Sequence, residues 1–164
     1  MTLHRPELVD DDALLRETVA ALEELAAAVP VVFPAHPRTQ HRLDALGLVP
    51  QGVRLAGPLG YLDFLGLEAE AQFVLTDSGG LQEETSSLGV PCFTLRDNTE
   101  RPVTVELGTN TLLGMRPERI PKIVELAAAA PAPSAIPLWD AEAGDRAAAV
   151  IAAHVERAAA FAVA

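Results

Sequence analysis

An Asp-Ser-Gly-Gly turn between an apolar segment and a helical segment is the part of this sequence best suited to chemistry. Residues 73–76 are typical of a buried strand, and residues 81–84 favour helix. This order places Ser78, Gly79 and Gly80 at the first turn of a helix, where backbone N–H groups have no partner within the helix. Because the helix dipole favours negative charge there, and glycine lets the backbone approach an anion closely, the turn predicts a phosphate or diphosphate site.

Two carboxylates, Glu83 and Glu84, follow on the same predicted helix. They cannot help to hold a phosphate, but a carboxylate one or two turns along can accept hydrogen bonds from a ribose diol. The pattern therefore predicts a nucleotide diphosphate site. Taken alone, the turn would be an ordinary helix cap and each glutamate a solvated surface residue.

Short apolar runs alternate with helical patterns along the chain. The apolar runs predict strands at residues 31–33, 53–55, 73–76, 92–95 and 111–113. We therefore expect an α/β fold in one domain over residues 1–164, a three-layer Rossmann-like parallel sheet with helices on both faces. Only residues 1–4 are available for the strand that should precede the first long helix. Ligands of such sheets bind at the carboxyl ends of the strands, which groups His4, the Asp-Ser-Gly-Gly turn and residues 96–101 at one edge.

The overall charge of the chain argues against several classes of partner. The formal net charge is −11 over 164 residues, whereas nucleic acids and anionic membrane surfaces need a basic face. No group of carboxylates has metal-ligand spacing, so we expect no metal and no cofactor. The single cysteine, Cys92, lies in an apolar run typical of core packing. The first residues start no apolar leader and no apolar stretch is long enough to cross a bilayer, so the sequence predicts a cytoplasmic protein.

Five motifs occur along the chain in one order. They are residues 2–7 (Thr-Leu-His-Arg-Pro-Glu), 33–38 (Phe-Pro-Ala-His-Pro-Arg), 61–64 (Tyr-Leu-Asp-Phe), 76–84 (Thr-Asp-Ser-Gly-Gly-Leu-Gln-Glu-Glu) and 96–102 (Arg-Asp-Asn-Thr-Glu-Arg-Pro). Together they resemble the carboxyl-terminal half of the non-hydrolysing UDP-N-acetylglucosamine 2-epimerases. The resemblance extends to about residue 140 and implies the C-terminal domain of a GT-B architecture, with the active site in a cleft between two domains. The amino-terminal domain of that family has no counterpart in this sequence.

The resemblance implies how the diphosphate would be held. Ser78, Gly79 and Gly80 match the family residues that hold it. His4 matches a histidine at the cleft, near the diphosphate, and is the one residue expected to be catalytic. Arg101 matches a cleft arginine. Without the resemblance, the histidine would be a polar surface or core residue and the arginine a partner for a neighbouring carboxylate.

The resemblance also implies contacts with the nucleoside and with an activator. Glu84 matches the glutamate that binds the ribose, and Phe64 matches an aromatic residue near the uracil. Arg5 and His36 match positions that contact a second, activating UDP-N-acetylglucosamine in bacterial members. Pro6 departs from the arginine that those members often carry next.

The reaction implied by the resemblance is elimination of UDP, which gives a 2-acetamidoglucal, followed by re-addition with inverted C2, in cell-envelope polysaccharide biosynthesis. The acidic residues that handle the proton at C2 belong to the family's amino-terminal domain, so we expect the chain alone to be inactive. UDP or a UDP-sugar is the expected ligand, and a separate amino-terminal half or a second copy of the chain the expected partner. Two alternatives remain: a stand-alone UDP or UDP-sugar binding module, and a truncated remnant without turnover.

Overall fold

The computed structural model describes residues 1–130 and 133–162, and side chains as far as residue 155. The chain forms two compact units, Met1–Pro133 and Ser134–Ala164. All five strands and seven of the eight α-helices described belong to the first unit. The second contains one helix.

The helices and strands alternate along the first unit. The strands are β1 (Val31–Pro34), β2 (Val53–Ala56), β3 (Val74–Thr76), β4 (Cys92–Thr94) and β5 (Asn110–Leu112). The helices are α1 (Pro6–Val9), α2 (Asp12–Ala26), α3 (Pro37–Ala45), α4 (Tyr61–Ala69), α5 (Gly79–Leu88), α6 (Pro102–Glu106) and α7 (Ile123–Ala128). A 3₁₀ helix, Pro117–Lys122, leads into α7, and the second unit holds α8 (Ala143–Ala162).

All the strand pairs are parallel, in the order β1-β2 and β3-β4-β5. The first two residues lie between these groups. The N–H of Thr2 donates to the carbonyl of Leu75 over 3.0 Å, and the nitrogen of Met1 donates to the carbonyl of Val32 over 2.7 Å. Thr2 also forms a parallel bridge with Thr76. The predicted α/β parallel sheet is confirmed, and the segment before α1 occupies its centre.

Local chemistry explains where α2 and α5 begin and end. The carboxylate of Asp11 caps α2 by accepting the N–H groups of Ala13 and Leu14, each over 3.0 Å. Helix α5 ends at Gly89, which adopts a left-handed conformation with φ of 73°. The aspartates at residues 10–12 predict a helix start, and Gly89 predicts the end of the helix that follows Ser78, so the sequence predicts both features.

Two elements differ from the sequence prediction. The helical pattern at residues 41–46 predicts a short helix, but α3 starts four residues earlier. The cap explains this start, because the Nδ1 of His36 accepts the N–H of Arg38 over 3.2 Å and a proline follows the cap. The short helix α1 was not predicted. It begins at Pro6 and buries Leu8 and Val9.

The core of the first unit packs around the sheet. Cys92 is fully buried in β4, as predicted, and burial raises the pKa of its thiol to about 11. In the second unit, the apolar side chains of Val150, Ile151 and Val155 on α8 are exposed. Across the described ranges, none of the helices combines the length and the apolar character that a membrane crossing requires.

Candidate functional site

The segment before α1 and the end of β3 are joined by a buried carboxylate. Asp77 is fully buried, and its oxygens accept the backbone N–H of His4 over 2.8 Å and that of Arg5 over 2.7 Å. The Nδ1 of His4 lies 2.9 Å from Asp77 Oδ1. The carboxylate therefore receives donors from both residues and fixes them beside the Asp-Ser-Gly-Gly turn.

This arrangement sets the chemistry of His4. Because Nδ1 points at the carboxylate, it carries the proton, and Nε2 is the nitrogen left to meet a ligand. The ring is about one-third exposed, so that nitrogen is accessible. Sequence reasoning did not assign Asp77 a role. Its position directly after a buried strand was the available signal.

The amino end of α5 has no side-chain cap. Ser78 occupies the cap position but makes no side-chain cap hydrogen bond. Its own N–H donates to the hydroxyl of Thr76 over 2.9 Å. The N–H groups of Gly79 and Gly80 lie in the first helical turn, where the helix itself offers no acceptor. Gly79 is buried and Gly80 is exposed. The binding of a diphosphate by these donors stays a prediction.

The guanidinium of Arg101 packs directly on this turn. A Cβ placed on Gly79 would lie 2.5 Å from Arg101 Nη1, so only glycine leaves room for the arginine here. Arg101 Nε lies 2.7 Å from Glu83 Oε2, which holds the guanidinium in place. Arg96 forms two hydrogen bonds with Glu100, of 3.0 and 2.7 Å, and these lower the pKa of that carboxyl to about 2. The structure therefore places the guanidinium of Arg101, paired with Glu83, at the amino end of α5.

A buried polar network, which sequence reasoning missed, supports the backbone of Arg101. Gln82 is fully buried, and its Oε1 accepts the hydroxyl of Thr99 over 2.5 Å and the Nδ2 of Asn110 over 3.0 Å. The hydroxyl of Thr99 in turn accepts the N–H of Arg101 over 3.0 Å. The hydroxyl of Thr104 donates to the carbonyl of Arg101 over 2.8 Å. The network ties the loop before α6 to α5 and β5.

Helix α4 brings an aromatic residue towards the second carboxylate. The hydroxyl of Tyr61 lies 3.4 Å from Glu84 Oε1. Glu68, also on α4, is buried, and burial together with the negative charge of Glu84 raises the pKa of its carboxyl to about 7. Phe64 lies between these two residues at helical spacing, so all three share one face of α4. The structure thus brings Phe64 and Glu84 to the same region, and Glu68 is an addition that the sequence did not suggest.

The predicted activator residues lie beside His4. The ring centroids of His4 and His36 are 5.9 Å apart. Arg5 follows His4, and its Nε is buried with no hydrogen-bond partner among the described residues. Pro6 opens α1, where its missing N–H costs nothing.

A cavity of about 390 Å³ lies beneath α4. Phe64 and Glu68 line it together with Val31, Val32 and Val74 of the adjoining strands. The Asp-Ser-Gly-Gly turn does not line it. The cavity therefore adjoins the predicted nucleoside end of the site and not the diphosphate end.

Comparison with known families agrees with this geometry. A model of the family described as UDP-N-acetylglucosamine 2-epimerase matches residues 1–152. The chain belongs to this family. The resemblance drawn from the five motifs is thereby confirmed.

Individual epimerases match over most of the chain. The UDP-N-acetylglucosamine 2-epimerase of Methanocaldococcus jannaschii is 45% identical over 133 residues, which is 77% of this chain and 36% of the relative. The UDP-2,3-diacetamido-2,3-dideoxy-D-glucuronate 2-epimerase of Pseudomonas aeruginosa is 46% identical over 114 residues, which is 69% of this chain and 32% of the relative. The chain thus spans about a third of the length of these curated relatives.

A solved structure shows the same fold. The crystal structure of the Methanocaldococcus jannaschii UDP-GlcNAc 2-epimerase in complex with UDP-GlcNAc and UDP aligns with a TM-score of 0.82 at 40% identity. The alignment covers 92% of this chain and 44% of that one. The chain therefore has the fold of one part of a GT-B epimerase, as predicted.

Proposed function

We propose that this chain is the UDP-binding, C-terminal half of a nucleotide-sugar 2-epimerase. The observation that carries the proposal is the amino end of α5, which has no side-chain cap, on which Arg101 packs and beside which Asp77 holds His4. Backbone donors and two basic side chains converge there in a chain whose net charge is −11. A diphosphate is the ligand that this local field favours.

Each part of UDP has a candidate partner on this surface. The diphosphate would accept hydrogen bonds from Ser78, Gly79 and Gly80, and the ribose diol would donate to Glu84. The uracil would lie near Phe64. Arg5 and His36 would contact an activating nucleotide sugar beside His4.

These groups would act on the leaving group of the reaction, which is the diphosphate of UDP. When the bond between C1 and the glycosidic oxygen breaks, negative charge develops on the diphosphate, and donors fixed there stabilise it by about 3–4 kcal/mol each. Arg101 would add positive charge at the amino end of α5. The imidazole of His4, held by the carboxylate of Asp77, would present its Nε2 to the ligand.

The sugar is part of the proposal. The family and the archaeal relative favour UDP-N-acetylglucosamine as substrate, with UDP-N-acetylmannosamine as product. The Pseudomonas relative, of similar identity, is named for a diacetamido glucuronate. Both substrates share the UDP that this half would bind, so UDP itself is the appropriate probe.

Isothermal titration calorimetry with UDP tests the binding proposal. We expect a dissociation constant in the micromolar to millimolar range, because one side of the cleft belongs to the other domain of the family. Arg101→Ala should weaken binding about tenfold or more through loss of a charge-assisted contact. Arg54→Ala, which removes an exposed arginine from β2, is the matched control and should leave the affinity unchanged. Equal affinities for both variants, or no heat with UDP, would overturn the proposal.

Turnover is a separate prediction. The residues that the family uses at C2 have no counterpart here, so the purified chain should produce no UDP-N-acetylmannosamine from UDP-N-acetylglucosamine in a coupled assay. Mixing it with an amino-terminal half of a related epimerase should restore activity. Product formed by the chain alone would refute the prediction, and UDP binding without restored activity would favour a stand-alone binding module.

A further inference from the structure

The centre of the parallel sheet contains a strand position that is filled at one end only. Strand β1 pairs with β2, and β3 pairs with β4, but within the described ranges β1 and β3 do not pair with each other. Between them lie Met1 and Thr2, whose nitrogens donate to the carbonyls of Val32 and Leu75. Neighbouring strands of a continuous sheet lie about 4.8 Å apart and pair along their length. The remainder of this central position is left without a strand.

The cavity of about 390 Å³ beneath α4 occupies this position, and we call it the central slot. Residues of β1 line one wall of the slot, and residues 73–75 line the other. Phe64 and Leu67 of α4 line it as well, so its surface is mainly apolar. The slot is therefore bounded by two strand edges and by the helix that packs beside them.

Both strand edges direct backbone donors into the central slot. In a parallel strand, the N–H and the carbonyl of one residue point to the same neighbour, and successive residues alternate between neighbours. The N–H of Val74 and the carbonyl of Thr76 bond towards β4, which leaves both groups of Leu75 facing the slot. The N–H of Val32 faces it from β1, because the carbonyl of Val32 accepts from Met1. Buried N–H groups require acceptors, and a further strand would supply carbonyls to both.

A buried carboxyl also favours a polypeptide as the occupant of the central slot. Glu68 lines the slot and is 3% exposed, and neither of its oxygens has a hydrogen-bond partner within the described part of the chain. A buried polar group without a partner is costly, so the slot favours an occupant that brings donors. A lipid chain offers neither donors for Glu68 nor carbonyls for the two N–H groups. An extended peptide offers both.

We propose that the central slot accepts one extended, mainly apolar strand that runs parallel to β1 and β3 and belongs to the amino-terminal half of the epimerase. The parallel bridge between Thr2 and Thr76 sets this direction. The chain covers 44% of the solved Methanocaldococcus jannaschii relative, so more than half of such a protein is available to supply the strand. The source of the strand rests on the proposed function, whereas the slot itself does not.

The added strand would also support the candidate site. It would end beside Met1 and Thr2, and these residues lead directly to His4 and Arg5, which Asp77 holds. Pairing on both edges would fix the start of this segment within the sheet, as in other cases where a peptide adds a strand. The central slot thus links the partner to the residues beside the Asp-Ser-Gly-Gly turn.

Amide hydrogen exchange followed by NMR tests the central slot in the intact chain. The probe is a synthetic peptide of two lysines, for solubility, and four valines, with acetylated and amidated ends. We expect it to slow exchange at Val32 and Leu75 about tenfold or more, because both N–H groups gain an acceptor. The amides of Ala35 and Cys92 already pair within the sheet and serve as internal controls, so their exchange should change far less.

The matched control peptide carries N-methyl groups on its valines, which keeps its apolar character but prevents pairing in a sheet. Protection by both peptides would mean that the slot takes apolar molecules in general, and would overturn the inference. It would also be overturned if Val32 and Leu75 in the free chain were as protected as the internal controls, through water or a second copy.

The source of the strand is tested separately. The amino-terminal half of the Methanocaldococcus jannaschii epimerase should protect the same two amides when it is mixed with the chain. Protection by the valine peptide but not by this half would contradict the proposed source. If the peptide protects both amides but UDP fails to bind, the proposed function fails and the central slot stands.

Discussion

Replacing Asp77 with alanine is expected to lower the free energy of unfolding by about 3 kcal/mol, because it leaves the donors of His4 and Arg5 without the buried carboxylate that accepts them. The carboxylate is fully buried and accepts the backbone N–H groups of His4 and Arg5. It also pairs with the Nδ1 of His4 at 2.9 Å. Water cannot replace an acceptor that is closed off in this way, so the loss should far exceed that of an exposed hydrogen bond.

Urea unfolding followed by circular dichroism measures the effect. Asp97→Ala is the matched control, because Asp97 also follows a strand and accepts one backbone N–H, that of Met115 over 3.1 Å, but is exposed. Asp97→Ala should lower the free energy of unfolding by about 1 kcal/mol or less. Two variants of equal stability would contradict the role given to the buried carboxylate.

Asp77→Asn separates the backbone role from the effect on the histidine. Asparagine keeps one acceptor oxygen, so it should cost less stability than alanine. Its amide nitrogen would oppose one of the donors, and the proton on Nδ1 of His4 would no longer be fixed. Nitrogen-15 NMR of the imidazole should therefore show a change of tautomer in Asp77→Asn even where the fold is retained.

The features that could be predicted from the sequence are those determined by residues close to one another in the chain. The Asp-Ser-Gly-Gly turn, the cap at Asp11 and the stop at Gly89 each depend on residues within a few positions. The parallel sheet follows from apolar runs that alternate with helices. Local chemistry of this kind can be inferred from a single chain.

The parts that were missed depend on contacts between distant residues. Asp77 bonds to residues 73 and 72 positions away, and Gln82 to Asn110 over 28 positions. Glu68 is buried through contacts of α4 with segments distant in the sequence, and it lines a cavity with Met1, Val31 and Val74. On its own helix it has the pattern of a surface glutamate, so periodicity alone could not assign it a partner. The resemblance named residues for the ligand but not those that hold them.

Replacing Gly79 with alanine is expected to weaken UDP binding about ten- to a hundredfold while leaving the fold intact. The new methyl group would lie 2.5 Å from Arg101 Nη1 and 3.1 Å from Cζ. These atoms are the far end of a flexible side chain, so the guanidinium moves away and the backbone stays in place. Gly79→Ala should therefore lower the affinity for UDP and leave the free energy of unfolding unchanged.

Gly66→Ala is the matched control for the substitution itself. Gly66 lies inside α4, and a Cβ there would meet no atom within 4 Å. Alanine should therefore stabilise that helix by about 1 kcal/mol and leave UDP affinity unchanged. Calorimetry and thermal unfolding of both variants separate an effect on the guanidinium from a general effect of alanine.

A double-mutant cycle shows whether the loss passes through the arginine. If Gly79→Ala acts by displacing Arg101, then it should add little to the loss already caused by Arg101→Ala, and the two effects would be strongly non-additive. Additive losses would mean that the methyl group obstructs the diphosphate itself. In that case Gly79 is required for close approach of the ligand to the backbone, and the position of the guanidinium is not the reason for glycine at the start of α5.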